Sequence, residues 1–122
     1  MNQNILVVDD SEFVRNYHAH ILSAAGFDVV TAVDGNDGLE KLFTHPCDVI
    51  LTDINMGLMD GYEFIRRVRA EAQYEELPII IVSTESEAGD KMKGYEAGAN
   101  LYLVKPSQPE TMIESIRMVL AA

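Results

Sequence analysis

The chain has 122 residues, 48% hydrophobic and 24% charged, the composition of an ordinary globular protein and long enough to bury its own core. At that size it reads as one domain over 1–122. Nine Lys and Arg stand against twenty Asp and Glu, and the net charge of −11 is the wrong sign for a general nucleic-acid or anionic-membrane surface. The single cysteine, Cys47, excludes an internal disulfide and suits a reducing compartment. No apolar run approaches the ~18–20 residues of a membrane span, and no basic-then-apolar leader opens the chain. A cytoplasmic location is expected.

Taken in order, short apolar runs alternate with longer amphipathic ones. Residues 5–8 form the first run. Phe13, Val14, Tyr17, Ile21 and Ala24 then share a helical face, and Gly26 suits a helix end in the left-handed conformation. Residues 27–33 form a weaker second run and 49–51 a third. Asp60 and Glu63 have capping-box spacing ahead of Phe64, Ile65 and Val68. A fourth run covers 79–82. The helix expected over about 87–97 is the poorest, with Gly94 inside it and Gly89 near its start, each interior Gly costing ~1 kcal/mol against Ala. Residues 101–104 make the fifth run. Ser107 and Glu110 repeat the capping spacing, with Pro109 in the first turn, before Met112, Ile113, Ile116, Val119 and Leu120. Runs apolar on both faces need a sheet covered on both sides. Five strand–helix units with right-handed crossovers predict an α/β fold, a doubly wound five-stranded parallel sheet.

In such sheets ligands bind beyond the carboxyl ends of the strands. There the first run ends at Asp9-Asp10, the third at Asp53, the fourth at Ser83 and the fifth at Lys105. Two carboxylates about 4 Å apart repel by ~1 kcal/mol in water and ~4 kcal/mol at an effective dielectric near 20. Three of them call for a cation, and hard oxygen donors of this kind suit Mg²⁺. Lys105 is better employed facing an incoming phosphoryl oxygen, Ser83 can donate to the same group, and one carboxylate is left as nucleophile. The residues suggest phosphoryl transfer to an aspartate.

The motifs Val7-Val8-Asp9-Asp10-Ser11, Leu51-Thr52-Asp53-Ile54-Asn55-Met56 with Met59-Asp60-Gly61, 78–83, and Gly98-Ala99 leading to Val104-Lys105-Pro106 carry a resemblance. The chain resembles the receiver domains of two-component response regulators, most of all stand-alone chemotaxis regulators of the CheY type. The resemblance implies a flavodoxin-like strand order 2-1-3-4-5, Asp53 as phosphoacceptor, and Mg²⁺ held by Asp10 directly, Asp9 through water, Asp53 and the carbonyl of Asn55. It further implies Lys105 on the phosphoryl group with a cis bond to Pro106, Ser83 as switch hydroxyl with Thr84 competing, and Tyr102 as a switch aromatic that turns inward. Asn55 and Glu85 resemble positions that flank the attacking water, from which a short phosphoryl lifetime is expected. Two departures stand out. Gly57 occupies a position where the family usually has Pro, and Ser107 one where it usually has Phe and where it is expected to serve instead as a helix cap.

Partners implied by the resemblance are a sensor histidine kinase and a downstream target protein reading the fourth helix, fifth strand and fifth helix, such as a flagellar motor switch. A monomer is expected, acting on no nucleic acid or membrane and catalysing only its own phosphorylation and dephosphorylation. The chain ends as its last helix completes, which favours a free-standing regulator over a receiver fragment of a larger one or a phosphorelay intermediate. Two other classes compete. A flavodoxin-like flavin carrier would suffer repulsion of the flavin phosphate by Asp9-Asp10-Ser11-Glu12. An aspartate-nucleophile phosphatase would need a carboxylate where Asn55 stands. Elsewhere the plainer readings prevail. His18, His20 and His45 are expected on the surface. Cys47 is expected in or near the core, and Arg66, Arg67 and Arg69 on a solvated face. Gly94 to Gly98 lead into a strand and make no phosphate cradle. Met56, Met59 and Met92 fill gaps or line an adaptable surface.

Overall fold

The computed structural model describes residues 2–122. Its elements are β1 (Asn4–Val8), α1 (Glu12–Ala24), β2 (Asp28–Ala32), α2 (Gly35–Thr44), β3 (Val49–Thr52), α3 (Gly61–Arg69), β4 (Ile79–Ser83), α4 (Ala88–Ala97), β5 (Leu101–Val104) and α5 (Pro109–Ala121), with one turn of 3-10 helix over Ala72–Tyr74. The strands run parallel in the order β2-β1-β3-β4-β5. Among the described residues no helix is long and apolar enough to cross a membrane.

Strand alternation divides the apolar residues between the two faces. Ile5, Val7, Val49, Leu51, Ile80 and Val82 meet Leu22 of α1 and Met112 and Ile116 of α5. Leu6, Val8, Ile50, Ile79 and Ile81 meet Leu42 of α2, Phe64, Ile65 and Val68 of α3, and Ala97 of α4. Each fully buried side chain of this size contributes roughly 1.5–3 kcal/mol, so this division holds the helices on their respective sides. Register then brings the strand ends level: Val8 pairs with Thr52, Thr52 with Ile81, and Ser83 with Val104.

Several local expectations are refined. Ser11 and Asp60 cap α1 and α3, their side-chain oxygens accepting from the N–H groups of Val14 and Glu63. Gly26 takes φ 98° just beyond α1. Ser107 does not cap α5. Pro109 begins that helix, which makes Gln108 the cap, in the extended conformation a residue before proline prefers. The inward stripe of α1 also differs from the expected face. Leu22 and His18 are buried, His18 being only 6% exposed, whereas Phe13 is 79% exposed. Val14, His18 and Leu22 lie four residues apart and so fall on one side of the helix. His18 is therefore a buried residue, while His20 and His45 are exposed.

Arg69 also departs from expectation. Arg66 and Arg67 pair with Glu63 on the solvated face. Arg69 instead turns inward, its guanidinium donating to the carbonyls of Tyr74, Leu77 and Gly98 and to Asn100 Oδ1, at 2.6–3.0 Å. It closes the irregular stretch between α3 and β4 against the turn after α4. Cys47 packs against the core with its thiol donating to the Val49 carbonyl, and burial pushes its pKa up to about 12. Met56 and Met59 are buried and Met92 is exposed.

Candidate functional site

β1 and β3 are neighbours and β5 lies one strand further on, beyond β4; all end at the same edge of the parallel sheet, so Asp9, Asp53 and Lys105, the residues that follow them, emerge on one rim. Asp9, Asp10 and Asp53 each bring a carboxylate oxygen within 4.8 Å of the other two. Asp9 is buried and Asp10 exposed. Lys105 Nζ lies 2.9 Å from Asp9 Oδ2 and 3.3 Å from Asp53 Oδ2. Two of the three carboxylates, those of Asp9 and Asp53, thus share one ammonium. All-oxygen donors with an excess of negative charge match what Mg²⁺ takes, so the donor set fits the ion that the sequence implies.

Backbone N–H groups orient the two inner carboxylates. Asp9 Oδ1 accepts from Ser11 N at 2.9 Å, and Asp53 Oδ1 from Ile54 N at 2.7 Å. Arg15 fastens the loop from behind, donating to the carbonyl of Asp9 at 2.8 Å. Burial raises the Asp53 pKa, and Asp9 adds to that; the Ile54 N–H and Lys105 act the other way. Asp53 is thereby a partly desolvated carboxylate held in one orientation, with one oxygen facing the ammonium.

The loop after Asp53 is shaped by two glycines. Gly57 takes φ 83°, which proline, locked near −65°, cannot adopt, so the departure from the usual Pro comes with a different local backbone. Gly61 comes so close to the carbonyl of Asp53 that a Cβ there would lie 2.8 Å from Ile54 Cα. Its N–H donates to the Ile54 carbonyl at 2.7 Å, pinning the start of α3 beneath the aspartate.

Ser83, fully buried at the end of β4, accepts the N–H of Glu85 at 3.1 Å, whereas Thr84 is exposed. Asn55 Nδ2 donates to Glu85 Oε1 at 3.1 Å, so the two residues expected to flank an attacking water meet across the rim. Tyr102 stands inward, 8% exposed, and its hydroxyl donates to the Glu85 carbonyl at 2.7 Å. The Lys105–Pro106 bond is cis. A cleft of about 340 Å³ between α1 and the loop after β5 is lined by Phe13, Tyr17, His18, Thr84 and Lys105. Asp9, Asp10, Asp53, Asn55, Ser83, Glu85 and Lys105 are found at this rim or on the β4–α4 loop beside it, and Tyr102, within β5, reaches that loop through its hydroxyl. Two neighbours were not anticipated: Arg15, whose role depends on the turn of α1, and Tyr62 of α3, whose hydroxyl donates to the Asp90 carbonyl 28 residues away.

The sequence matches the response regulator receiver domain over residues 5–117. The chain belongs to this family. The receiver is 36% identical over 118 residues to the chemotaxis protein CheY1 of Helicobacter pylori, covering 95% of each chain. It is 34% identical over 120 residues to the alkaline phosphatase synthesis transcriptional regulatory protein PhoP of Bacillus subtilis, spanning 98% of this chain and 49% of that one. Among solved structures, Vibrio cholerae chemotaxis protein CheY4 superposes with TM-score 0.93 at 39% identity, covering 98% of this chain and 99% of that one. The receiver is a signalling module of a two-component system, and its sheet order is that of the CheY fold.

Proposed function

We propose that this receiver is a phosphorylation switch of the chemotaxis type, accepting a phosphoryl group on Asp53 from the phosphohistidine of a sensor kinase. A carboxylate oxygen of Asp53 attacks phosphorus, forming a P–O bond as the P–N bond breaks, and the electron pair leaves on the imidazole nitrogen. Hydrolysis of the resulting acyl phosphate returns the free carboxylate and inorganic phosphate. The carboxylates of Asp9, Asp10 and Asp53 and the carbonyl of Asn55 would hold Mg²⁺, which when bound supplies neutralisation of phosphoryl charge. Lys105 adds a fixed ammonium beside the nucleophile, acting in a partly desolvated site where such charges count for more than in water. Ser83 donates to the phosphoryl group, and its motion repositions the loop that carries Glu85 and the carbonyl holding Tyr102. The output is a shift between two arrangements of the α4, β5 and α5 face, read by a target protein such as a motor switch.

The observation that carries this reading is the convergence of three carboxylates and one ammonium on the carboxyl edge, with Asp53 facing Lys105 at 3.3 Å. The test is a ¹H–¹⁵N NMR titration with Mg²⁺ and then beryllofluoride, run on the wild type and on Asp53→Asn. Shifts at Asp53, Ser83, Tyr102 and α4 that vanish in the variant are expected. No response in the wild type would overturn the proposal and leave a receiver-shaped scaffold working through surface contacts.

A further inference from the structure

α4 is weakly built. Gly94 sits in its interior and Gly89 in its first turn, and two glycines cost a helix roughly 2 kcal/mol against alanine. In its first turn Asp90 and Glu87 form a reciprocal capping box, the Asp90 carboxylate accepting the N–H of Glu87 at 3.2 Å, and the Asp90 carbonyl accepts the hydroxyl of Tyr62 at 3.0 Å. Tyr62 is the second residue of α3 and follows Gly61, the glycine pressed on the backbone of Asp53. The hydrogen bond therefore ties α4 to the start of α3, which Gly61 in turn fastens to the backbone beside the aspartate.

Beneath α4, Gly94 makes room for Tyr102. A Cβ there would stand 2.7 Å from Ile81 Cδ1 and 3.2 Å from the Tyr102 ring. A tyrosine hydroxyl is a donor at neutral pH, and burial, the main cause, pushes the Tyr62 pKa further up, to about 12. Two tyrosine hydroxyls thus grip the same stretch of backbone. Tyr102 holds the loop before α4 at Glu85, and Tyr62 holds the helix itself at Asp90.

We propose that Tyr62, through its hydroxyl bond to the Asp90 carbonyl, is a positioning residue that holds α4 over the inward side chain of Tyr102 and sets the resting state of this face. The consequence for output rests on the phosphorylation reading above; the mechanical role of Tyr62 does not. Tyr62→Phe removes the hydroxyl and keeps the ring.

Native-state hydrogen exchange is measured in the full chain carrying Asp53→Asn, which cannot be phosphorylated at that position, with and without Tyr62→Phe. Loss of one net hydrogen bond should speed exchange of the α4 amides 91–97 about fivefold. Amides of β1 and β3 should be unchanged and the Tyr102 ring resonances should move. Equal acceleration in β1, β3 and α4 would mean general destabilisation only and would overturn the proposal. So would unchanged α4 exchange with an unmoved Tyr102 ring. A second variant, Gly94→Ala, should drive the Tyr102 ring outward whether or not Tyr62 is intact. If the wild type ignores beryllofluoride while Tyr62→Phe still loosens α4, the phosphorylation reading fails and the positioning role stands.

Discussion

Gly61→Ala is expected to be the most damaging single-methyl change near the site. Gly61 is buried, and its φ lies outside the left-handed region, so alanine meets no backbone penalty there. The cost is steric. The new Cβ would fall on the carbonyl oxygen of Asp53 and lie 2.8 Å from Ile54 Cα and 3.0 Å from the Asp53 carbonyl carbon, against about 3.5–4.0 Å for relaxed carbon contacts. The obstacle is backbone, which cannot rotate away as a side chain can. Forcing the start of α3 outward carries an overpacking cost of about 1–3 kcal/mol. Losing the 2.7 Å bond from Gly61 N to the Ile54 carbonyl adds about 1 kcal/mol. Better helix propensity returns at most ~1 kcal/mol, leaving a net loss of about 1–3 kcal/mol. Gly89→Ala is the control. It adds the same methyl to a helix where nothing lies within 4 Å, and should stabilise by about 0.5–1 kcal/mol. Urea unfolding followed by circular dichroism measures both. Because the Asp53 backbone moves, the beryllofluoride response of Gly61→Ala should also weaken by at least about tenfold. If Gly61→Ala lies within about 0.5 kcal/mol of wild type, or Gly89→Ala is equally harmful, the steric reasoning is wrong.

Three further outcomes are expected. Arg69→Met keeps the aliphatic stem but leaves the carbonyls of Tyr74, Leu77 and Gly98 without their donor, and should cost about 3 kcal/mol in urea unfolding; a loss below about 1 kcal/mol would mean that water replaces the guanidinium. His18 is held below its ordinary value near 6.5, first by burial and then by Lys105, with Asp9 opposing. The unfolded chain therefore takes up that proton before the folded one, and stability present above about pH 6.5 should decline as pH falls through that value. His18→Leu should flatten this dependence, and urea midpoints that fall equally in both proteins would refute the assignment. Finally, Asn55→Lys and Glu85→Arg, which break the bridge across the rim, should slow loss of the phosphoryl group about tenfold by obstructing water. Phosphate that persists for hours in the wild type and is unaffected by either change would sink the short-lifetime expectation.

The strands were legible because parallel strands buried on both faces are written as short Ile and Val runs, and 101–104 matches β5 residue for residue. The site was legible for a related reason, since a polar residue ending such a run must emerge at the sheet edge. Helix α2 showed no clear signal of its own, as Gly35 and Gly38 interrupt its apolar spacing. Gly38 is explained only by its neighbour: a Cβ there would lie 2.8 Å from Phe64 Cε1. The face of α1 was misjudged because a histidine stands in its buried stripe while Phe13 and Tyr17 are left outside. Arg69 and Tyr62 were beyond reach for one shared reason. Each acts by bonding backbone carbonyls remote in sequence, up to 29 residues away for Arg69 and 28 for Tyr62, and a carbonyl has no signature in the amino-acid string.

The ion pair between Lys105 and Asp9 spans 96 residues of chain, with Asp53 between them. Contacts of such long range form only once loop-closure entropy has been met for nearly the whole fold. During synthesis, the acidic side chains are made long before their lysine, and the two first meet when β5 takes its place at the sheet edge. A chain stalled before that step carries the aspartate without the fixed charge beside it. The pairing of charges at the carboxyl edge is thus a late property of the polypeptide.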